Sequence, residues 1–532
     1  VQMPAPAQSS YDEAPYPKSS HKNTHVRRLE SLATLLGMAP TSLHGCRVLE
    51  LGCASGWNLI SQAREFPGSE FIGIDFSVVQ IQEGNRAVKA TGLSNVTLSE
   101  GYIMAIDASL GSFDYIIAHG VYSWVPEQVQ AKVLDVCREN LNPSGVALVS
   151  YNVYPGWHFL GLVRDMMLFH TKGYQETRDR IGHARACLDF MAQNCNQETP
   201  YGRMLATEME RLRGADDTYL VHEHLEPDNN PLYFHEFIER ASKKGLQYLC
   251  DSNFSAMMPH SLPATARKAL AGAPMVKMEQ YLDFLRNASF RSTLLCHADV
   301  ALQRQIKPPI LDRFQLAFAH KPTDLDLDPG STTSGQISFK NGSFRTALPL
   351  VKAAFLELES SCPHALSLDE LFERSQKILR DSALPKDIQK TQTRQVLAVS
   401  LLQAVFSGHI VAHVHPPRLC TNLGDKPVVD AFVRMQAREG RKVTNQRHET
   451  VTLSEVARQI LMDLDGDHSV EVLTQTLKER IRRGELGVAS EGKPITSPTP
   501  ELLDSLMDQG LEQIREALLL QEGHVECLTK VT

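Results

Sequence analysis

Val48-Leu-Glu-Leu-Gly52-Cys-Ala-Ser-Gly56 joins a short apolar run to two glycines at GxxxG spacing, with an acidic residue, Glu50, inside the run. A strand that enters a glycine turn and opens a helix is a setting in which main chain can hold a nucleotide-like ligand. Gly52 can take backbone angles closed to other residues, and its missing side chain lets a ligand lie against the main chain; Gly56 does the same at the helix start. The next apolar run ends Phe71-Ile-Gly-Ile-Asp75-Phe76. Its carboxylate falls about 20 residues beyond the loop, where it can accept both hydroxyls of a ribose. Capping the following helix is the competing role, and Ser77 suits that better.

The GxGxxG spacing that seats a pyrophosphate is missing. The loop instead resembles motif I of class I methyltransferases, E-x-G-x-G-x-G, with Ala54 at the middle glycine. S-adenosyl-L-methionine is therefore the expected cofactor, and NAD, which a strand-end acid also serves, is the alternative. Many such enzymes carry an Asp for the adenine amine after the third strand, and the alignment puts Tyr102 there. Adenine is then expected to rest on backbone and on Ile103 and Met104.

Two loops rich in aromatic residues follow later strands: His119-Gly120-Val-Tyr122-Ser-Trp124-Val-Pro126 and Tyr151-Asn-Val-Tyr154-Pro-Gly-Trp157-His158. Loops at the carboxyl ends of strands face the ligand in an open α/β sheet. His119 and Gly120 are assigned to the cofactor. Tyr122, Trp124, Tyr154, Trp157 and His158 are expected to shape the acceptor channel. Methyl transfer needs water excluded, a nucleophile aligned and positive charge tolerated; aromatic faces favour such cations by about 0.5–2 kcal/mol each. Any one of these rings can equally be core. The Asn/Asp-Pro-Pro-Tyr signature of enzymes that methylate nucleobases or glutamine is absent, which argues against those acceptors, and the aromatic loops shift the expected acceptor toward a lysine amine. His222-Glu223-His224, with His235 beyond, invites a metal, but no fourth ligand or HExxH is evident. No metal is expected, and a place on the rim of the substrate entrance suits the segment better. Cys53 reads as a small packing residue.

Positioning these groups takes a strand–helix alternation, with strands at 47–51, 70–74, 96–99, 113–118 and 146–151, and helices at 58–65, 78–91 and 127–141. That rhythm implies a parallel sheet covered on both faces. A helical stretch follows, then two more expected strands at 218–225 and 246–250, completing seven. The expected division is an N-terminal arm over 1–25, a core over 26–160 and 215–260, a helical insertion over 161–214, a middle region over 261–345 and a C-terminal part over 346–532. Helices at 347–359, 368–379 and 393–406 leading into an apolar run at 410–415 resemble a winged-helix module.

A chain of 532 residues exceeds one ordinary core. A net charge of −8 without a Lys/Arg stripe argues against nucleic acid. The ten cysteines include no CxxC pair, which fits a reducing compartment. Neither a signal pattern nor a long apolar run is visible, so the expected location is cytoplasmic, without membrane insertion.

Taken together, the loops above, Tyr11-Asp-Glu-Ala-Pro-Tyr16, His222-Glu-His-Leu-Glu and Phe290-Arg-Ser-Thr-Leu-Leu-Cys-His297 resemble bacterial class I methyltransferases that carry a methyltransferase regulatory domain. The rickettsial lysine methyltransferases of outer-membrane protein B are among them. The resemblance implies a Rossmann-like core, a helical dimerisation insertion giving a homodimer, middle and C-terminal domains, Tyr16 at the cofactor, and lysines of a surface protein as substrate. A small-molecule O- or N-methyltransferase and a non-catalytic cofactor-binding interaction protein are the competing readings. Val26 stands where the resemblance implies Pro, and Trp57 where it implies a small residue.

Overall fold

The computed structural model describes residue 16 and residues 18–259, 262–340, 342–490, 493–495 and 499–521. Most of the expected arm, including Tyr11 to Pro15, lies outside them. A seven-stranded sheet forms the centre: β1 (Arg47–Leu51), β2 (Glu70–Asp75), β3 (Val96–Glu100), β4 (Phe113–Ala118), β5 (Leu141–Asn152), β6 (Leu246–Asp251) and β7 (Phe290–His297). Their order is β3-β2-β1-β4-β5-β7-β6, with β7 antiparallel to both neighbours and the other pairs parallel. The sheet is Rossmann-like. Every residue of β4 is buried, as an unbroken apolar run between two helical layers requires. The chain steps outward from β1 to β3, then returns to lay β4 on the other side of β1. That reversal opens a crevice at the carboxyl ends of β1 and β4. Residues 52–56 and 119–126 flank it.

Two expectations are corrected here. Residues 218–225 form no strand: Asp217–Leu220 is a helical turn and Val221–Leu225 a wide π turn. Asp216 caps the turn by accepting the Tyr219 N–H at 2.8 Å, and Leu220, Val221 and Leu225 pack into the core of the helical layer. An Asp N-cap here outweighs an alternation that looked strand-like. The missing strand is β7, buried along nearly its whole length, in the middle region where no strand was expected.

Helices Gly156–Thr171, Thr177–Asn194 and Pro200–Arg213 form a layer with its own apolar core around Met167, Leu205 and Met209. Helix Val26–Leu35 begins with the Val26 N–H donated to Gln62 Oε1 at 2.9 Å, a bond that proline has no N–H to make. Beyond the sheet lie two further bodies. In the first, helices Pro349–Ser361, Leu368–Arg380 and Arg394–Phe406 pack with a small sheet of Gln315–Phe318, Leu366–Ser367 and Ile410–His413. The second has a separate core, with Val433, Leu461, Leu477 and Ile514 from four helices between 431 and 516. Among the described residues no helix is long and apolar enough to cross a membrane.

Candidate active site

Left-handed backbone shapes the loop after β1 at alternate positions: Gly52 (φ +68°), Ala54 (φ +50°) and Gly56 (φ +70°). A Cβ on Gly52 would lie 2.4 Å from Val121 Cγ2, so glycine is needed for space as well as for angle. Ala54 holds the glycine-like conformation at a cost of about 1–2 kcal/mol. Its N–H donates to Asp75 Oδ2 at 2.8 Å, which offsets part of that. The replaced glycine thus alters the residue and leaves the path of the backbone. Asp75 Oδ1 accepts the Ser77 N–H at 2.9 Å, and Ser77 caps the helix Val78–Thr91. The Asp75 carboxylate also lines the cavity beside the loop, where it can face the hydroxyls of a ribose.

The loop forms one wall of a cavity of about 970 Å³. Glu50, Gly52, Ala54, Asp75, Phe76, Ile103, Met104, His119, Gly120 and Tyr16 all line it, whereas Gly56 stays behind, against Leu98. Among the described residues, Glu50 Oε2, Gln80 Oε1, Trp57 Nε1 and His119 Nδ1 are buried atoms of lining residues without a hydrogen-bond partner. Buried groups of this kind cost about 1–3 kcal/mol each unless satisfied, and a ligand dense in amino, hydroxyl and ring-nitrogen groups fits such a wall. Burial pushes the Glu50 carboxyl up to about 8, against the bond that Oε1 accepts from Asn58 Nδ2 at 2.8 Å. Burial also pushes the His119 imidazole down to about 3, with His21 adding to the effect. A neutral His119 adds no positive charge to the cavity wall. The Cys53 thiol is pushed well above its usual range by burial, which disfavours a nucleophilic thiolate.

At the acceptor end the aromatic residues separate. Trp124 lines the cavity, with Trp157 edge-on to it at 6.1 Å between ring centroids. Tyr122 does not line it: the side chain is fully buried against Phe237 and Tyr151. Tyr154 stacks on His158 at 4.1 Å, and His158 Nε2 lies 3.2 Å from the Tyr233 hydroxyl, a cluster outside the cavity lining. The sequence reading missed His21, Gln80, Asn152 and Phe290, all in the lining. Phe290 had a signal, as the first residue of a motif noted for resemblance alone. Within the His222-Glu223-His224 segment, His222 and Glu223 line the cavity and His224 does not. Among the described residues no cluster of three or more His, Cys, Asp or Glu is arranged for a metal.

The second C-terminal body reaches this site. His448 Nε2 donates to Asn58 Oδ1 at 2.8 Å, and Asn58 in turn donates to Glu50 and to Thr24 of the arm. Phe432 packs edge-on to Trp57 at 5.3 Å, so the large residue after the glycine loop serves this contact. Lys18 pairs with Glu83 and Glu439.

A Rossmann-like sheet of this order, a glycine loop on β1 and an acid ending β2 define a class I methyltransferase. Family models agree along the chain: "Methyltransferase domain" matches residues 42–216, "Predicted methyltransferase regulatory domain" 216–297, and "PKMT, C-terminal winged helix domain" 425–519. The winged helix therefore falls on the second C-terminal body. The helix order at 347–415 that resembled one belongs to the body before it. A Rickettsia prowazekii protein, RP789, is 34% identical over 523 residues, covering 96% of this chain and 93% of its own. Among solved structures, PKMT2 from Rickettsia typhi is 31% identical with a TM-score of 0.84, over 95% of this chain and 100% of that one; its complex with AdoHcy gives 0.83. The chain belongs to this family of S-adenosylmethionine-dependent methyltransferases with a regulatory domain. Its cofactor is S-adenosylmethionine.

Proposed function

We propose that this methyltransferase modifies lysine side chains of proteins, with outer-membrane proteins as the acceptor class the resemblance implies. The observation that carries the reading is the acceptor end of the cavity. Trp124 and Phe290 line the same space as Asp75, and Lys18, the one Lys or Arg in the lining among the described residues, is held by two carboxylates. Such a wall accepts an alkylamine and tolerates the positive charge that moves from sulfur to nitrogen during transfer. Bound there, S-adenosylmethionine supplies a methyl group on a sulfonium. The chain's own part is to hold the ribose on Asp75, keep water out with the aromatic wall and guide the amine along it. A cytoplasmic enzyme would meet its acceptors before their export. Pairing into a homodimer through the helical layer would cover Phe169 and Phe190, which are 86% and 63% exposed; sedimentation of the purified chain tests it.

The test of function is transfer of labelled methyl from S-adenosylmethionine to outer-membrane and soluble protein fractions, with mass spectrometry of the products. Methylated lysine is the expected result. Label found in small molecules alone would replace this reading with the small-molecule one.

A further inference from the structure

Among the described residues, Glu50, Asp75 and Glu223 are the carboxylates in the cavity lining. Glu50 is held by Asn58, and Asp75 by the glycine loop and Ser77. Glu223 differs: among the described residues its carboxylate makes no hydrogen bond or ion pair. Its placement comes from the π turn Val221–Leu225, a widened helical turn of a kind frequent at functional sites. Val221 and Leu225 pack into the helical layer, while His222 and Glu223 face the cavity.

Among the described residues, none of the groups around Glu223 bonds its carboxylate. Tyr16, from the arm, has its ring 5.1 Å from that of His222. Tyr219 and Asp216 lie on the preceding turn. Arg211, the nearby cation, is engaged by Glu208 at 3.0–3.1 Å and by the Tyr219 hydroxyl at 2.9 Å. A part-buried carboxylate without a partner, in an aromatic cavity, is a site for a cationic amine.

We propose that Glu223 is the acceptor-side carboxylate of this enzyme, drawing the substrate lysine ammonium into the cavity and accepting its proton before methyl transfer. The proposal rests on the lysine reading above. An N–H proton passes from the ammonium to a Glu223 oxygen, leaving a neutral amine with a free lone pair. That pair forms the new N–C bond while the carbon–sulfur bond breaks and its electrons stay on sulfur. The product nitrogen carries the positive charge, and Glu223 returns its proton to solvent as the product leaves. Burial pushes the Glu223 carboxyl up to about 7, against the pull of His222 and Arg211, so it can both take and release a proton near neutral pH.

Glu223→Gln in the full chain keeps the shape and removes the proton acceptor. AdoHcy affinity by calorimetry is expected to stay within about twofold, showing a folded site. At pH 7 the kcat on a lysine peptide is expected to fall by about 10²–10⁴-fold. It should recover as pH rises toward the lysine pKa of about 10.4, where solution supplies free amine. Glu223→Asp should restore much of the rate at pH 7. A Gln variant with wild-type kcat and pH profile overturns the proposal, as does one whose loss is equal at every pH. If the wild type methylates no lysine at all, the lysine reading falls first; if it does and the Gln variant is unimpaired, only the role of Glu223 falls.

Discussion

At the cofactor end of the cavity, the working groups are main chain and near neighbours in sequence. Residues 52–56 supply the turn, Asp75 ends the adjacent strand, and the two meet through the Ala54–Asp75 bond. At the proposed acceptor end, Trp124, Phe290 and the pair His222–Glu223 arrive from three separate stretches of chain. Backbone geometry forces particular residue types into particular spacings. A wall assembled from distant side chains leaves no such spacing, so a linear pattern can describe the first end far better than the second.

If that contrast is right, the deepest damage follows changes in the turn. Gly52→Val combines a left-handed β-branched residue, about 1–3 kcal/mol, with a Cβ thrust against Val121, about 1–3 kcal/mol more. AdoHcy binding measured by calorimetry should weaken by about 30-fold at least, and to the point of loss at the upper end. Affinity close to wild type would mean the loop is not the seat of the cofactor. Next in size is Asp75→Ala. Losing charge-assisted acceptors of about 1.5–3 kcal/mol should weaken binding by about 10- to 150-fold, and unchanged affinity would remove the ribose assignment.

These two positions were legible because conformation dictates them. The fifth strand, the glycine loop and the acid that ends β2 all stand where local pattern put them. What local pattern could not supply was the partner of β5: β7 lies far along the chain, and its place in the sheet depends on pairing between Ala147–Asn152 and Phe290–Leu295. Phe290 entered the site with that strand, so missing the strand meant missing the ring. His222, Glu223 and His224 were noticed as a cluster, but a helical turn, not a strand, decides that the first two line the cavity and His224 does not.

The acceptor wall should respond more mildly and in a different constant. Trp124→Ala removes one aromatic face, about 0.5–2 kcal/mol, so kcat/KM for a lysine acceptor should drop by about 2- to 30-fold. AdoHcy affinity should move by less than about twofold. A larger loss in cofactor affinity than in acceptor turnover would erase the division between the two ends.

The smallest effect is expected at Tyr122, two residues from Trp124 and read from sequence as its equal in the channel. On a strand, residues i and i+2 would share a side. Tyr122–Trp124 is instead a 3-10 turn, with three residues per turn, so the two rings diverge. One faces the cavity and the other the core beside Phe237. Tyr122→Phe keeps the packed ring, so kcat on a lysine acceptor should stay within about twofold and stability within about 1.5 kcal/mol. If the Tyr122 hydroxyl instead oriented the amine, the variant would lose about tenfold or more in kcat at unchanged stability. A single pair of rate and unfolding measurements therefore decides whether the acceptor channel ends at Trp124 or extends through the turn.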